Sequence, residues 1–184
     1  MTTDIVQKAA DTLKPFRNAS SLTKCFQGAV NLSKVKDGLG KMHAGVMLAS
    51  DDMREISAFA NAYTEALNSL GVIGKKQLVV VDWQNMVEKD GFREAFNTAA
   101  GGVLVIVNAY SNNRTLQEQL ANCTGTGELC GHLDKAAFDR VSGQFKEAAS
   151  KPVVILSGPV AALQAAYKAE PAVFNMRFIT KVGF

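Results

Sequence analysis

The sequence has few of the features that mark membrane or nucleic-acid-binding proteins. Its 184 residues carry a formal net charge of +3, and no basic run exceeds Lys75-Lys76. Such scattered charge gives no indication of a nucleic-acid partner. No apolar segment approaches the ~18 residues that a membrane-crossing helix needs. The first 14 residues include Asp4 and Asp11 and no apolar core run, so we do not expect them to be a secretory signal.

Recognisable catalytic motifs are also missing. The chain contains no Ser-His-Asp order, no His-Glu-x-x-His and no Gly-x-Gly-x-x-Gly, and its histidines are His43 and His132. No nucleophile lies beside an evident base, as covalent catalysis requires. His43 precedes a predicted strand, and we interpret it as structural. The sequence therefore favours a protein that is not an enzyme.

Cysteines are few. Their number, three, is odd, which favours reduced thiols and a cytoplasmic location over a disulfide framework. Two of them, Cys123 and Cys130, lie with His132 in a polar insertion at residues 111–133. Zinc is one interpretation, but the spacing does not fit a Cys-x₂₋₄-Cys knuckle and no fourth ligand is evident. Free thiols in a surface loop are preferred, and a reversible Cys123–Cys130 disulfide stays open.

What the sequence does contain is a set of short apolar runs separated by helical patterns. Gly101-Gly102 opens the run 103–107, and similar runs occupy 77–82 and 152–158. A continuous apolar run of this length is typical of a strand buried on both faces. Shorter runs at 45–49 and 178–184 predict a first strand and a final strand, the latter at the sheet edge or beside the first. Strands that alternate with helices indicate an α/β fold with a mainly parallel five-stranded sheet.

The helical patterns complete the predicted organisation. Residues 4–14 and a segment starting at Ser20 or Ser21 form two helices, with a break at 37–40. We expect residues 1–40 to be a helical segment that packs on an α/β domain spanning 41–184. Asp52 begins a helix that reaches about Leu70, with one apolar stripe: Met53, Ile56, Phe59, Ala60, Tyr63, Leu67 and Leu70. Further helices are predicted at 92–100, after Asp134, and from Pro159 to Ala169.

Several stretches, in order, resemble the CbxX/CfqX family of AAA+ ATPases, which includes the red-type Rubisco activases. Gly101 to Tyr110 is similar to the family's Gly-Gly-Val-Leu-Phe-Ile-Asp-Glu-Ala-Tyr, and Val153 to Gly158 to its Val-Val-Ile-Leu-Ala-Gly. Leu70-Gly71 followed by Gln77-Leu78-Val79 matches its Leu-Gly and His-Leu-Val. Residues 170–173 match its Asn-Pro-Gly-Leu. The resemblance runs from about His43 to Phe184 and implies a three-layer P-loop NTPase-like fold without the family's helical lid domain.

The departures from the family fall on its catalytic positions. The phosphate-binding Walker A loop corresponds to Ser50 to Ser57, where Ile56 replaces the lysine. Its glycines are replaced by Ser50, Met53 and Glu55, and Asp52 and Ser57 complete the former Walker A region. The Walker B acids become Val107 and Asn108. The family's arginines fall on Phe174 and Met176, and Arg177 could replace one of them after a one-residue shift.

Without the loop, the lysine and the Mg²⁺-binding acid, nothing positions or neutralises a triphosphate. The resemblance therefore implies a pseudo-ATPase with no catalytic residue, cofactor or metal. We expect a structural or assembly protein that binds protein partners or copies of itself, in the cytoplasm or in an assembly encoded by a phage or mobile element. One alternative is a regulatory partner of an active AAA+ ATPase.

Another alternative is a small-ligand module that reuses the former nucleotide crevice. Its lining would come from the following residues: Ser50, Asp51, Asp52, Asn108, Tyr110 and Arg177. Asp51, Asp52 and Glu55 could also form a cation site, although three carboxylates at a helix N-terminus are explained more simply by favourable interactions with the helix dipole.

Overall fold

One sheet of five parallel strands organises the part of the chain that the structure describes. This computed structural model describes residues 2–16, 21–35, 38–83, 85, 92–110, 151–169, 171, 178 and 180–184. The helices are α1 (Thr2–Asp11), α2 (Leu22–Ser33), α3 (Leu39–His43), α4 (Met53–Ser69), α5 (Phe92–Thr98) and α6 (Val160–Ala169). The strands are β1 (Val46–Ala49), β2 (Leu78–Asp82), β3 (Val103–Val107), β4 (Val153–Gly158) and β5 (Thr180–Val182).

The strand order is β2-β3-β4-β1-β5, and all four neighbouring pairs are parallel. The predicted α/β architecture with a five-stranded sheet is therefore confirmed, and the sheet is parallel throughout. β3 and β4 are buried along their whole length, as their uninterrupted apolar runs indicate. β5 lies both at an edge and beside β1, which satisfies the two positions predicted for the final strand.

The first face of the sheet is covered by α1, α2 and α4. Val46, Val105 and Ile155 project towards these helices, since side chains alternate between the two faces of a strand. Phe59 of α4 stacks on Tyr63 with ring centroids 5.3 Å apart, and Tyr63 stacks on Phe26 of α2 at 5.4 Å. The N-terminal helices thus share one apolar cluster with the sheet.

The second face of the sheet is covered by α5 and α6. Phe96 of α5 and Leu163 of α6 are buried against Leu104 and Ile106 of β3 and Leu156 of β4. Helices on both faces give the described part of the chain three layers. Within these residues, no helix combines the length and apolarity that a membrane span requires.

Three local predictions were wrong. The break predicted at 37–40 is too long, because Leu39 and Gly40 already belong to α3, which starts after Gly38 in a left-handed conformation (φ 87°). Met53 was assigned to the buried stripe of α4 but is 47% exposed, because it occupies the first helical position, outside the sheet. β2 is an edge strand and only partly buried, whereas its apolar run predicted burial on both faces.

Candidate functional site

The carboxyl ends of β1 and β4 form the topological switch point of this sheet. The chain leaves β1 through α4 and reaches β2 at one edge, whereas it leaves β4 through α6 and reaches β5 at the other edge. α4 and α6 lie on opposite faces. Ligands of open α/β sheets bind in the crevice that such a divergence creates. The candidate site is therefore the loop after β1 together with the ends of β3 and β4.

The loop after β1 contains three residues, Ser50 to Asp52, before α4 begins at Met53. The Asp52 carboxylate caps the helix by accepting a 2.8 Å hydrogen bond from the Arg54 N–H. The Ser50 hydroxyl donates to Glu55 Oε2 at 2.6 Å and accepts from the Asp52 N–H at 3.2 Å. Asp52 thus caps one backbone N–H of the first turn, and Ser50 links the loop to Glu55 of that turn.

This geometry leaves no phosphate-binding loop in the former Walker A region. Met53, Glu55, Ile56 and Ser57 are all helical, whereas a phosphate cradle needs an irregular, glycine-rich backbone that can direct several N–H groups at the ligand. Ile56 stands at the lysine position of the family, and it is 2% exposed in the core between α4 and the sheet. The side chain at this position therefore does not point towards the crevice.

The two residues that the resemblance aligns with the Walker B acids, Val107 and Asn108, lie at the carboxyl end of β3. Val107 is only 6% exposed and belongs to the core under α4, so its side chain does not face a crevice. Asn108 follows with a left-handed backbone (φ 56°), and its side-chain amide donates to Asp82 Oδ2 at 2.6 Å. The polar pair at this end of the sheet therefore joins β2 to β3.

The end of β4 is covered by the chain that follows β3. The Ala109 N–H donates to the Ser157 carbonyl at 2.8 Å. The Ala109 backbone lies so close to Gly158 that a Cβ on Gly158 would approach the Ala109 carbonyl oxygen to 2.6 Å. The hydroxyl of Ser157 is fully buried and donates to the Ser50 carbonyl at 3.0 Å. At the switch point the protein's own backbone and side chains therefore contact one another.

Tyr110 does not line an open crevice, contrary to the ligand-module hypothesis. It is buried, its backbone is left-handed (φ 62°), and its ring packs on Trp83 with centroids 4.3 Å apart. Burial raises the pKa of the Tyr110 phenol. Arg177, the proposed cationic member of that lining, lies outside the described residues, as do Phe174, Met176, Cys123, Cys130 and His132.

The hypothesis of a cation site at Asp51, Asp52 and Glu55 finds no supporting geometry. Among the residues that the structure describes, no group of three or more acidic, histidine or cysteine side chains is arranged to hold a metal ion. Asp52 instead caps α4, and Glu55 accepts from Ser50. The carboxylates at the start of α4 therefore have a structural role.

A second polar cluster is sealed between α2, α3 and α4. The Tyr63 hydroxyl donates to the Ala44 carbonyl at 2.7 Å, and the Cys25 thiol lies 3.6 Å from the His43 carbonyl and 3.7 Å from the Tyr63 hydroxyl. Burial raises the pKa of Cys25 and that of Tyr63, and it lowers the pKa of His43. The His43 ring packs on Gly28, where a Cβ would overlap it. These contacts give His43 a packing role.

Thr180 of β5 borders this cluster and has the buried hydroxyl that is least well satisfied in the described residues. Its Oγ1 has no hydrogen-bond partner by distance and angle, although it faces the Cys25 thiol closely enough to lower that thiol's pKa. A thiol is a weak hydrogen-bonding group, so this contact does little for the hydroxyl. The side chains of Cys25, Tyr63 and Thr180 are all buried, so the cluster offers a ligand no entry.

Two residues at the carboxyl ends of strands, Ser157 of β4 at the switch point and Asp82 of the edge strand β2, were not assigned to the site from the sequence. Both end an apolar run with a polar side chain, and in a parallel sheet such positions gather at one edge. That pattern could have identified them as members of the site. The partner of each, Ser50 for Ser157 and Asn108 for Asp82, depends on strand order and could not be read from the pattern.

No protein-family model matches the chain, and no curated protein sequence matches it.

Proposed function

We propose that this chain is a non-catalytic, P-loop-like α/β domain that acts as a structural or assembly protein. A five-stranded, all-parallel sheet with helices on both faces is compatible with the three-layer P-loop fold. The proposal keeps the resemblance to the AAA+ family for the architecture alone. It assigns the protein an interaction role within a larger assembly and no ATP hydrolysis.

The observation that carries the proposal is the filled switch point. The Ser157 hydroxyl binds the Ser50 carbonyl, and the Ala109 backbone lies against Gly158 and binds the Ser157 carbonyl. These contacts join the loop after β1 and the chain after β3 to the end of β4, beside which a nucleotide would have to bind. The nucleotide would also meet the carboxylates of Asp52 and Glu55, which repel polyphosphate at close range.

Hydrolysis would require more than binding. Phosphoryl transfer depends on a cation that neutralises the phosphates, on Mg²⁺ held by an acid, and on a residue that positions water. The two positions that correspond to the lysine and the metal-binding acid hold Ile56 and Val107, both in the apolar core. Neither side chain can supply charge, so these two positions cannot stabilise the transition state.

The alternatives predict different behaviour in solution. A structural subunit should self-associate, whereas a regulatory partner of an active AAA+ ATPase should be a monomer that binds that ATPase. A ligand-binding module should gain stability from its ligand, and a ligand at 100 times its Kd adds about 2.7 kcal/mol. No contact among the described residues favours this last function, because Tyr110 is buried and Ser157 is bonded to Ser50.

The test is the mass of the purified protein by light scattering, with and without ATP and Mg²⁺, combined with a phosphate-release assay. We expect an oligomer whose mass does not respond to nucleotide, and no phosphate release. A matched variant, Asp51→Asn with Glu55→Gln, removes negative charge from the start of α4. It should also fail to bind ATP, since charge is not the only missing feature. Hydrolysis by the wild-type chain would overturn the proposal.

A further inference from the structure

β2 is an edge strand whose outer backbone groups are directed away from the sheet. Its only strand neighbour within the described residues is β3, and the parallel register from Leu78↔Val103 to Asp82↔Val107 is continuous. The Gln77 carbonyl accepts from the Val103 N–H. Every second residue of a strand directs its backbone N–H and C=O groups to the same neighbouring strand. The backbone groups of Gln77, Val79 and Val81 are therefore directed towards β3. The N–H and C=O groups of Leu78, Val80 and Asp82 therefore point outward.

Within residues 77–82, this edge lacks several of the sequence features by which proteins protect an open strand. Residues 77–82 contain no proline, no glycine and no lysine, and the regular register shows no bulge. Val80, at the centre of the strand, is 49% exposed. An unbulged, apolar edge of this kind is a template for pairing with another strand.

We propose that a second copy of this chain pairs with β2 in antiparallel orientation, with Val79 on the two-fold axis. This partner follows from charge and apolar complementarity within the strand itself. In that register Leu78 lies opposite Val80 of the partner subunit, and Lys76 lies opposite Asp82 of the partner subunit. Symmetry repeats both pairs, so two apolar pairs are flanked by two oppositely charged pairs.

The backbone fits the same register. Leu78 of one copy lies opposite Val80 of the partner subunit. Both residues direct their backbone N–H and C=O groups outward from their own sheets, so the two residues can form a hydrogen-bonded pair of an antiparallel ladder. A register centred on Val80 would also match the backbone, but it would place Leu78 opposite the carboxylate of Asp82 of the partner subunit. The Val79-centred register avoids that mismatch and covers the half-exposed Val80 side chain on both copies.

Lys76 and Asp82 can bind their present partners and the second copy at the same time. Lys76 bonds to Glu65 of α4 at 2.6 Å on the first face of the sheet, and its ammonium has three donors. Asp82 accepts from Asn108 through Oδ2, and a carboxylate has about four lone-pair sites. Pairing through β2 would join two five-stranded sheets into one continuous sheet of ten strands.

This inference rests on the proposed assembly function, which it deepens by naming the partner and the surface. The first test compares wild type with Val80→Lys by light scattering on the full chain. Val80→Lys should convert a dimer into a monomer, because it places two charges beside the axis. Val160→Lys is the matched control, since Val160 is also an exposed valine (40%) but lies on α6. Its mass should stay that of the wild type.

The second test uses charge complementarity. Lys76→Glu places a carboxylate opposite Asp82 of the partner subunit, and Asp82→Lys places two lysines opposite each other. Each variant should dimerise about tenfold more weakly than wild type, as the loss of two cross-strand pairs implies. An equimolar mixture of the two variants restores opposite charges at both positions. It should recover wild-type affinity as a heterodimer.

The register has its own test in a Cys123→Ser/Cys130→Ser background. Residues at position 79 would face each other in a non-hydrogen-bonded pair, with Cα atoms about 4.5 Å apart, which suits a disulfide. Val79→Cys should therefore give a covalent dimer on oxidation. Val81→Cys, on the same face, would lie about 13 Å from its copy and should stay monomeric in denaturing gels.

The possible failures are distinguishable. An oligomer that keeps its mass in Val80→Lys overturns the β2 pairing and leaves an assembly function through another surface. A wild-type monomer at all concentrations overturns the pairing and self-assembly together. A dimer that depends on Val80 but hydrolyses ATP supports the pairing and overturns the non-catalytic function. A crosslink at position 81 and not at 79 overturns the proposed register.

Discussion

The buried hydroxyl of Ser157 donates a 3.0 Å hydrogen bond to the backbone carbonyl of Ser50, and thereby links the carboxyl ends of β4 and β1. These are the neighbouring strands from which the chain departs in opposite directions. In open α/β sheets this is where a ligand enters. The link therefore bears directly on whether a nucleotide can occupy this fold.

Loss of the Ser157 hydroxyl should destabilise the protein. Ser157→Ala leaves the Ser50 carbonyl without this donor, and an unsatisfied buried group costs about 1–3 kcal/mol. Urea unfolding followed by circular dichroism measures the difference. Ser57→Ala on the exposed surface of α4 is the control and should change stability by no more than about 0.5 kcal/mol. Equal stabilities of the two variants would show that the link contributes nothing.

Restoring the acid of the former Walker B position should prevent stable folding. Val107→Asp buries an unpaired carboxylate in the core under α4, beside Asp82 in the neighbouring strand, and should cost at least about 3 kcal/mol. A modest effect is expected only if Val107 lies at an exposed strand end. Val160→Asp, at the start of α6, is the control and should be nearly neutral, since a carboxylate there favours the helix dipole. A modest effect of Val107→Asp would place this residue at an open crevice.

The two adjacent aspartates of the loop after β1 should respond differently to substitution. Asp52→Ala removes the cap of α4 and should lower the free energy of unfolding by about 1 kcal/mol. Asp51→Ala should change it by less than about 0.5 kcal/mol, because Asp51 is exposed and does not cap the helix. Guanidinium unfolding of both variants provides the comparison. A larger loss for Asp51→Ala would mean that Asp51 makes a contact beyond the described residues.

Stability should fall at alkaline pH through the buried cluster around Tyr63. Burial raises the folded-state pKa of Cys25 above 9.0 and that of Tyr63 well above 10.0, so the folded protein keeps both groups protonated while the unfolded chain ionises. Their contribution is complete below the unfolded-state pKa values and is lost progressively as the pH rises from those values through the higher folded-state pKa values.

Tyr63→Phe provides the matched test of this pH dependence. It should lower stability near neutral pH by about 1–3 kcal/mol, since the Ala44 carbonyl loses its donor. It should also make the decline of stability above about pH 10 shallower than in the wild type. The measurement is the free energy of unfolding of both proteins as a function of pH. If stability falls equally steeply with pH in the wild type and in Tyr63→Phe, Tyr63 does not cause the decline.

The strength of each local pattern explains which features could be predicted. The five-residue apolar run of β3 and the long amphipathic pattern of α4 are each long enough to fix an element and its burial. α3 has five residues, too few to show a helical period. The burial of Val107 could not be predicted from the apolar run, because it depends on where β3 ends relative to the neighbouring strands. A shift of one residue would move the side chain to the other face of the sheet.

The contents of the candidate site depended on tertiary structure in the same way. The resemblance drew attention to Ile56 and Val107, but it did not indicate that these two residues join one core. The contacts of Ser50 with Ser157 and of Asp82 with Asn108 connect residues that are 107 and 26 positions apart. Only the strand order brings such residues together.

The most direct test of the non-catalytic function is a calorimetric titration of the full chain with ATP in the presence of Mg²⁺. The filled switch point predicts no saturable heat up to millimolar nucleotide, for the wild type and for Ser157→Ala alike. A saturable isotherm with a micromolar Kd, corresponding to a binding free energy of about −8 kcal/mol, would show that the crevice opens and accepts nucleotide. That result would contradict the proposal that the P-loop-like domain serves assembly alone.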